Sequence, residues 1–270
     1  MAKIRLIGKV VTDVISGTVG QNNTKFIKYL VEVAIGGQSN NPRLAQNSDS
    51  KKSYFAVMAF GKQAELPILK GVTVEIDGQM EIAKFQLNQK AQPKDAVIVQ
   101  PEHTTILQGN VVHFTKAYNV LGNFVKDNAE VYHPQSGGNT VYTQKIASSK
   151  KSGDNEYTSF FSIKLFGERG DKLFAKDILS KSKIKSVLVD GSISATYTIK
   201  EQNGEKKEYF NVDIAVNDFQ IASWVKSTTT GENSTGTAQQ AYANVGTYDE
   251  PPVEFYDEAL KEINEDEIPF

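Results

Sequence analysis

The stretch Tyr54-Phe55-Ala56-Val57-Met58-Ala59-Phe60-Gly61 predicts a β-strand, and a variant returns as Phe160-Phe161-Ser162-Ile163-Lys164-Leu165-Phe166-Gly167. Because successive side chains of a strand point to opposite sides, one side of each copy is apolar and is predicted to face a core. The other side carries an aromatic residue at each end, with small or polar residues between them. That side can be a second packed surface or a platform on which bases stack, and the strand alone leaves both readings open.

The two stretches belong to a longer internal repeat. The dipeptide Phe60-Gly61 recurs as Phe166-Gly167 after 106 residues, and Asp77-Gly78 recurs as Asp190-Gly191 after 113 residues. Order is kept and the offset grows by seven, which predicts a duplicated domain with an insertion near Asp171–Ser186 in the second copy. Alternating apolar segments between turn residues predict short strands in a small barrel or sandwich. The predicted domain limits are 1–108 and 109–226.

The composition changes after residue 226. Residues 227–247 are rich in Ser, Thr, Gly, Asn and Gln and predict a flexible linker, and residues 248–270 predict a disordered acidic tail. Residues 227–270 hold ten acidic residues and one basic residue, which leaves 29 of the 30 basic and 22 of the 32 acidic residues in the body. A mildly basic body joined to an acidic tail favours a nucleic-acid binder with an interaction tail.

Several classes of function lack their usual sequence signals. The chain has no cysteine, and its three histidines are scattered without the spacing of metal ligands. It has no glycine-rich phosphate-binding loop and no hydrolase motif, so we predict no cofactor, no metal and no catalysis. No apolar run is long enough to cross a membrane and no signal peptide is visible. These features predict a cytoplasmic protein, associated with the nucleoid or with the host cytoplasm if phage-encoded.

Two features resemble the single-stranded DNA-binding proteins of bacteria and phages. The chain ends in Asp266-Glu267-Ile268-Pro269-Phe270, which looks like the acidic Ile-Pro-Phe tip of that family. An aromatic residue, five further residues, Phe-Gly and then Asp-Gly also occur in both halves. The resemblance implies an all-β chain of two tandem OB-folds, which are five-stranded Greek-key barrels, followed by the disordered tail. Two barrels per chain, instead of the commoner single barrel, imply a homodimer with four.

The resemblance also implies a function and a site. The function is sequence-independent binding and protection of single-stranded DNA in replication, recombination and repair, with partner enzymes recruited by the tip. Aromatic side chains are expected to stack on bases and lysines to contact phosphates. The candidate strand-binding residues are Tyr54, Phe60, Phe85, Phe160, Phe166, Lys164, Lys51, Lys52, Lys150 and Lys151. We expect a further contribution from Lys28 or Tyr29, and an equivalent role for the pairs Lys51-Lys52 and Lys150-Lys151, which both precede the repeated strand.

Two alternatives remain open at this point. One is a tandem-barrel accessory protein of a primosome or replisome, which binds nucleic acid weakly and acts through protein contacts. The other is an OB-fold nuclease, which needs a carboxylate cluster and a catalytic arginine on the binding face, and the sequence does not present that set.

For the tip, the terminal Phe270 and its carboxylate can fill an apolar pocket lined by Arg or Lys.

Overall fold

The computed structural model describes residues 2–35, 51–88, 90–126, 129–135, 138–152, 155–175, 184–202 and 205–224. Most of these residues lie in twelve β-strands, which hydrogen-bond into one continuous sheet. The predicted linker at 227–247, the tail at 248–270 and the tip Asp266–Phe270 lie outside the described residues.

The first six strands form a closed barrel. They are β1 (Lys3–Val10), β2 (Ile15–Val19), β3 (Thr24–Ile35), β4 (Lys51–Phe60), β5 (Thr73–Phe85) and β6 (Lys94–Leu107). The barrel closes in the order β1-β3-β4-β6-β5-β1, and β2 extends the sheet beyond β3. Strands β4 and β6 run parallel, whereas the other pairs are antiparallel.

The second six strands repeat this arrangement. They are β7 (Phe114–Phe124), β8 (Glu130–Tyr132), β9 (Val141–Ser152), β10 (Asn155–Phe166), β11 (Ile184–Gln202) and β12 (Glu205–Trp224). The closure β7-β9-β10-β12-β11-β7 again has one parallel pair, between β10 and β12. The prediction of an all-β chain with two tandem five-stranded OB-folds is therefore confirmed.

Both repeated dipeptides end in a glycine that the local backbone geometry requires. Gly61 and Gly167 follow β4 and β10 with φ of +54° each, a left-handed conformation that favours glycine. Gly61 opens a short 3₁₀ turn (Gly61–Glu65), whereas Gly167 precedes a helical turn (Glu168–Gly170) that continues as Asp171–Ala175. At Gly78 and Gly191 a Cβ atom would lie 2.0 and 2.2 Å from the carbonyl oxygens of Gln100 and Ala215. These positions accept only glycine because the neighbouring strand passes too close for a side chain.

The barrels join through the antiparallel pair β1–β7. Its register places Ile4 opposite Ala117, flanked by Lys3 with Tyr118 and Arg5 with Lys116. Ile4 also lies opposite Gly78, and Ala117 lies opposite Gly191, so Ile4 and Ala117 occupy equivalent positions in the two barrels. The two barrels are therefore related by an approximate twofold axis that passes through this pair.

A reciprocal pair of hydrogen bonds follows the same symmetry. The backbone N–H of Ala195 donates to Ser53 Oγ over 3.1 Å, and the N–H of Ile82 donates to Ser159 Oγ over 2.9 Å. Ser53 and Ser159 immediately precede the repeated stretch in each copy, and both are buried. Each barrel thereby satisfies one backbone donor of the other, which fixes their relative position.

Candidate nucleic-acid interface

The repeated strands β4 and β10 direct the side with an aromatic residue at each end toward the outer surface of each barrel. On β4 this side carries Tyr54, Ala56, Met58 and Phe60, and the paired residues on β3 and β6 complete it. We define the first-barrel face as Phe26, Lys28, Leu30, Glu32, Tyr54, Ala56, Met58, Phe60, Glu81, Ala83, Phe85, Lys94, Ala96 and Ile98. The equivalent second-barrel face consists of Val141, Thr143, Lys145, Ala147, Phe160, Ser162, Lys164, Phe166, Ser194, Thr196, Thr198, Tyr209, Asn211 and Asp213.

Much of the first-barrel face is a packed apolar surface. Ala56 and Met58 are buried, and Phe85 is only 6% exposed because it packs into the same cluster. Phe60 is half-buried against this cluster, with its ring centroid 6.5 Å from that of Phe26. Leu87 extends the cluster from the hairpin between β5 and β6. Of the predicted stacking residues in this barrel, Phe60 and Phe85 thus lie mostly inside an apolar cluster.

One edge of the first-barrel face is organised around a carboxylate. Tyr54 Oη donates to Glu32 Oε2 over 3.0 Å, and Lys52 Nζ lies 3.1 Å from the same oxygen. The hydrogen bond and charge of Glu32 raise the pKa of Lys52, and burial together with the Glu32 hydrogen bond raises the pKa of Tyr54. Both predicted binding residues are thus engaged with an acidic side chain. Lys51 begins β4, and its side chain lies outside what the structure describes.

The strand β3 contributes a buried lysine. Lys28 lies opposite Met58 on the first-barrel face, and its Nζ stands 5.4 Å from the ring centroid of Phe26. Burial lowers the pKa of Lys28 to about 8, because the charged form loses hydration. Tyr29, the other residue expected from this strand, is 1% exposed and belongs to the main core.

The second-barrel face is open. Phe160 is 55% exposed and Phe166 is 40% exposed, on either side of Ser162 and Lys164 along β10. Lys164 Nζ donates to Asp213 Oδ2 over 2.8 Å and remains partly accessible. Aromatic rings with exposed faces can stack on bases, and nearby ammonium groups can contact phosphates. The structure therefore brings Phe160, Phe166 and Lys164 together on one accessible surface.

Tyr209 is a member of this surface that the sequence analysis missed. It lies on β12, opposite Thr198 on β11, and is 39% exposed. The parallel register of β12 with β10 places it on the same side of the sheet as Phe160. Its neighbour Phe210 points to the other side and packs on Tyr197, with 5.0 Å between ring centroids. Alternation alone could not decide which of the two aromatic residues faces outward, because that depends on the pairing of distant strands.

The two lysine pairs are not equivalent, so that prediction is wrong. Lys52 lies in β4 opposite Ala34, whereas Lys150 and Lys151 lie in β9 opposite Tyr157 and Glu156. Lys52 lies 8 residues before Phe60, whereas Lys151 lies 15 residues before Phe166, so the second pair falls in the preceding strand β9. Lys151 is exposed, whereas Lys150 lines a small cavity between the barrels, with Gln79 and Gln100 of the first.

Among the residues that the structure describes, no three His, Asp or Glu side chains are placed to hold a metal ion together. Within the same ranges, no helix has the length and apolar character needed to cross a membrane.

Strand order and the outer face define the described chain as a tandem OB-fold protein. The single-stranded DNA-binding protein of Thermus aquaticus has a similar structure, with a TM-score of 0.51 and 13% identity over 87% of this chain and 97% of the other. A deletion mutant of that protein aligns with a TM-score of 0.52 and 13% identity, covering 85% of this chain and 98% of the other. At this identity the likeness establishes the fold alone. No protein-family model and no curated protein matches the sequence.

Proposed function

We propose that this protein binds single-stranded DNA without sequence preference, and that it acts as a binding protein and not as an enzyme. The observation that carries the proposal is the second-barrel face, where Phe160, Phe166 and Tyr209 present exposed rings beside Lys164. An aromatic ring accepts any base, since every base has a π-face, so such a surface binds strands of any sequence. The likeness in fold to a Thermus aquaticus protein of this activity supports the same conclusion.

Electrostatics would supply the rest of the affinity. The second-barrel face holds Lys145 beside Lys164, and the exposed residues Lys151, Lys206 and Lys207 lie on the hairpin ends of the same barrel. Lysines that neutralise phosphates release counterions, so the observed affinity should fall as salt rises. Asp213 holds Lys164 in place on the sheet until a phosphate competes for it.

The proposal extends to residues outside the described ranges. Asp266-Glu267-Ile268-Pro269-Phe270 would recruit replication, recombination and repair proteins by placing Phe270 in an apolar pocket, while the acidic residues steer the encounter. Residues 1–108 and 109–226 would act as two domains, and a homodimer would supply four barrels. Deleting residues 263–270 should leave DNA binding intact or tighter and abolish capture of partner proteins. Loss of DNA binding in that variant would contradict this assignment of the tail.

The central test is a titration of dye-labelled oligo(dT) with the full-length protein, followed by fluorescence anisotropy. We expect saturable binding at moderate salt, little preference among unstructured sequences, and weak binding to a duplex of equal length. The logarithm of affinity should fall with the logarithm of salt by about 0.7 per neutralised phosphate. Absence of saturable binding would refute the proposed function. Cleavage of the oligonucleotide in the presence of Mg²⁺ would instead identify a nuclease.

A further inference from the structure

The two outer faces have the same strand arrangement but differ in side-chain chemistry at six equivalent positions. The strand registers equate Leu30 with Lys145, Ala56 with Ser162, Met58 with Lys164, Ala96 with Asn211, Ile98 with Asp213 and Phe85 with Thr198. At each of these positions an apolar residue in the first barrel is replaced by a polar or charged residue in the second. A single exchange would be unremarkable, but six on one face change a packed surface into an open one.

The apolar cluster of the first-barrel face includes residues of the hairpin between β5 and β6. Leu87, 5% exposed, packs into the cluster with Ala56 and Met58. The turn is closed by Gln86 Nε2, which donates to the carbonyl of Ala91 over 2.8 Å. Asn88 Oδ1 also accepts from the backbone N–H of Ala91 over 3.0 Å. Ala56 and Met58 are 0% and 1% exposed, so a strand could reach them only if this cluster opened and exposed its apolar residues to water, which is unfavourable.

The charged groups of the first-barrel face are buried or already paired. Glu32 is bonded to both Tyr54 and Lys52, Lys28 is buried, and Lys94 is paired with Glu208. A phosphate approaching Lys52 would have to compete with Glu32. On the second-barrel face the acidic residue Asp213 is accompanied by two lysines, Lys145 and Lys164.

We propose that the strand occupies the second-barrel face alone, and that the first-barrel face is a closed surface whose role is to stabilise the fold. Each chain then has one strand site and not two, although it has two OB-folds. This inference rests on the proposed function, since it concerns where the single strand binds. It also assigns Tyr209 to the site and removes Phe85 from it.

The first test compares equivalent aromatic residues, Phe160 on the open face and Tyr54 on the closed one. In anisotropy titrations with labelled oligo(dT), Phe160→Ala should weaken binding about 5- to 150-fold, the range for loss of one stacked base. Tyr54→Ala should stay within about twofold of the unmodified protein. Circular dichroism and a thermal melt of each variant show that the comparison is made between folded proteins.

A second test needs no variant and so does not depend on folding. With oligo(dT) of about ten nucleotides, a length within the range that one OB-fold covers, saturation should occur at one oligonucleotide per chain. Saturation at two per chain would overturn the inference while leaving single-strand binding intact. The inference also fails if folded Tyr54→Ala binds as weakly as Phe160→Ala, or if both variants bind like the unmodified protein. Failure of the unmodified protein to bind would instead refute the proposed function itself.

Discussion

The first-barrel and second-barrel faces show how one fold can carry two different surfaces. Both are built on the same strand order, the same parallel pair and the same Phe-Gly turn. In the first barrel Met58 is buried in an apolar cluster, whereas in the second the equivalent Lys164 is partly exposed and paired with Asp213. The inner sides of the two strands stay apolar in both copies. Fold and surface chemistry are therefore specified by alternate residues of the same strand and can diverge independently.

Exchanging the side chains of the equivalent residues Met58 and Lys164 should give the largest difference in stability between the barrels. Met58→Lys places a second cation opposite the buried Lys28, and we expect it to lower the free energy of unfolding by about 5 kcal/mol or more. The reverse exchange, Lys164→Met, removes a partly exposed ion pair and should change stability by less than about 1 kcal/mol. Urea denaturation measures both, and equal losses would contradict the distinction between a closed and an open face.

A similar asymmetry is expected two strands further along the sheet. Phe85→Ala should lower the free energy of unfolding by about 3–5 kcal/mol, because it leaves a cavity in the apolar cluster. The equivalent Thr198 is exposed, so Thr198→Ala should cost less than about 1 kcal/mol. Thermal melting of the two variants provides the measurement. A small effect at Phe85 would indicate that the hairpin is readily displaced and that the first-barrel face can open.

The reciprocal serine hydrogen bonds are a feature that the two barrels share, and equal effects are expected from removing either one. Ser53→Ala and Ser159→Ala each remove the acceptor of one backbone N–H, at Ala195 and Ile82 respectively. Each should lower stability by about 1–3 kcal/mol, since a donor left unpaired in the interior loses its hydration without compensation. Amide hydrogen exchange at Ala195 and Ile82 should accelerate in the corresponding variant. Effects that differ strongly between the two sites would show that the approximate symmetry does not extend to the junction.

The last expected effect concerns the pH dependence of stability. The pKa of Lys28 is lowered to about 8 by burial, so between pH 8 and the ordinary value of 10.5 the unfolded chain binds more protons than the folded chain. Stability contributed by this group should therefore rise as pH increases through that window and stay constant below it. The variant Lys28→Met should lack this rise, and the difference between the two proteins in urea midpoint, measured from pH 7.5 to 10, isolates it from the tyrosines. Parallel curves would mean that Lys28 is more hydrated than its position suggests.

The local features of the fold were predictable from the sequence. Alternation identified the core-facing residues of β4 and β10, and the repeated Phe-Gly pairs located equivalent turns in both barrels. These signals are readable because a strand's alternation and a glycine's backbone conformation depend on residues next to each other in the chain. The lysine pairs show the limit of such reasoning, since both precede the repeated stretch but lie in different strands of the two barrels.

The sequence by itself therefore determined that two similar barrels form, and that each presents a side with aromatic residues at its ends. Only the tertiary structure decided which of these sides is accessible. In the first barrel, Ile98 lies beside β4, and Leu87 joins the cluster that contains Met58. In the second barrel, Asp213 lies beside β10, and Tyr209 lies on the same side of the sheet as Phe160. The physical reason is that burial results from residues far apart in the chain packing together, and no pattern within one strand records that packing.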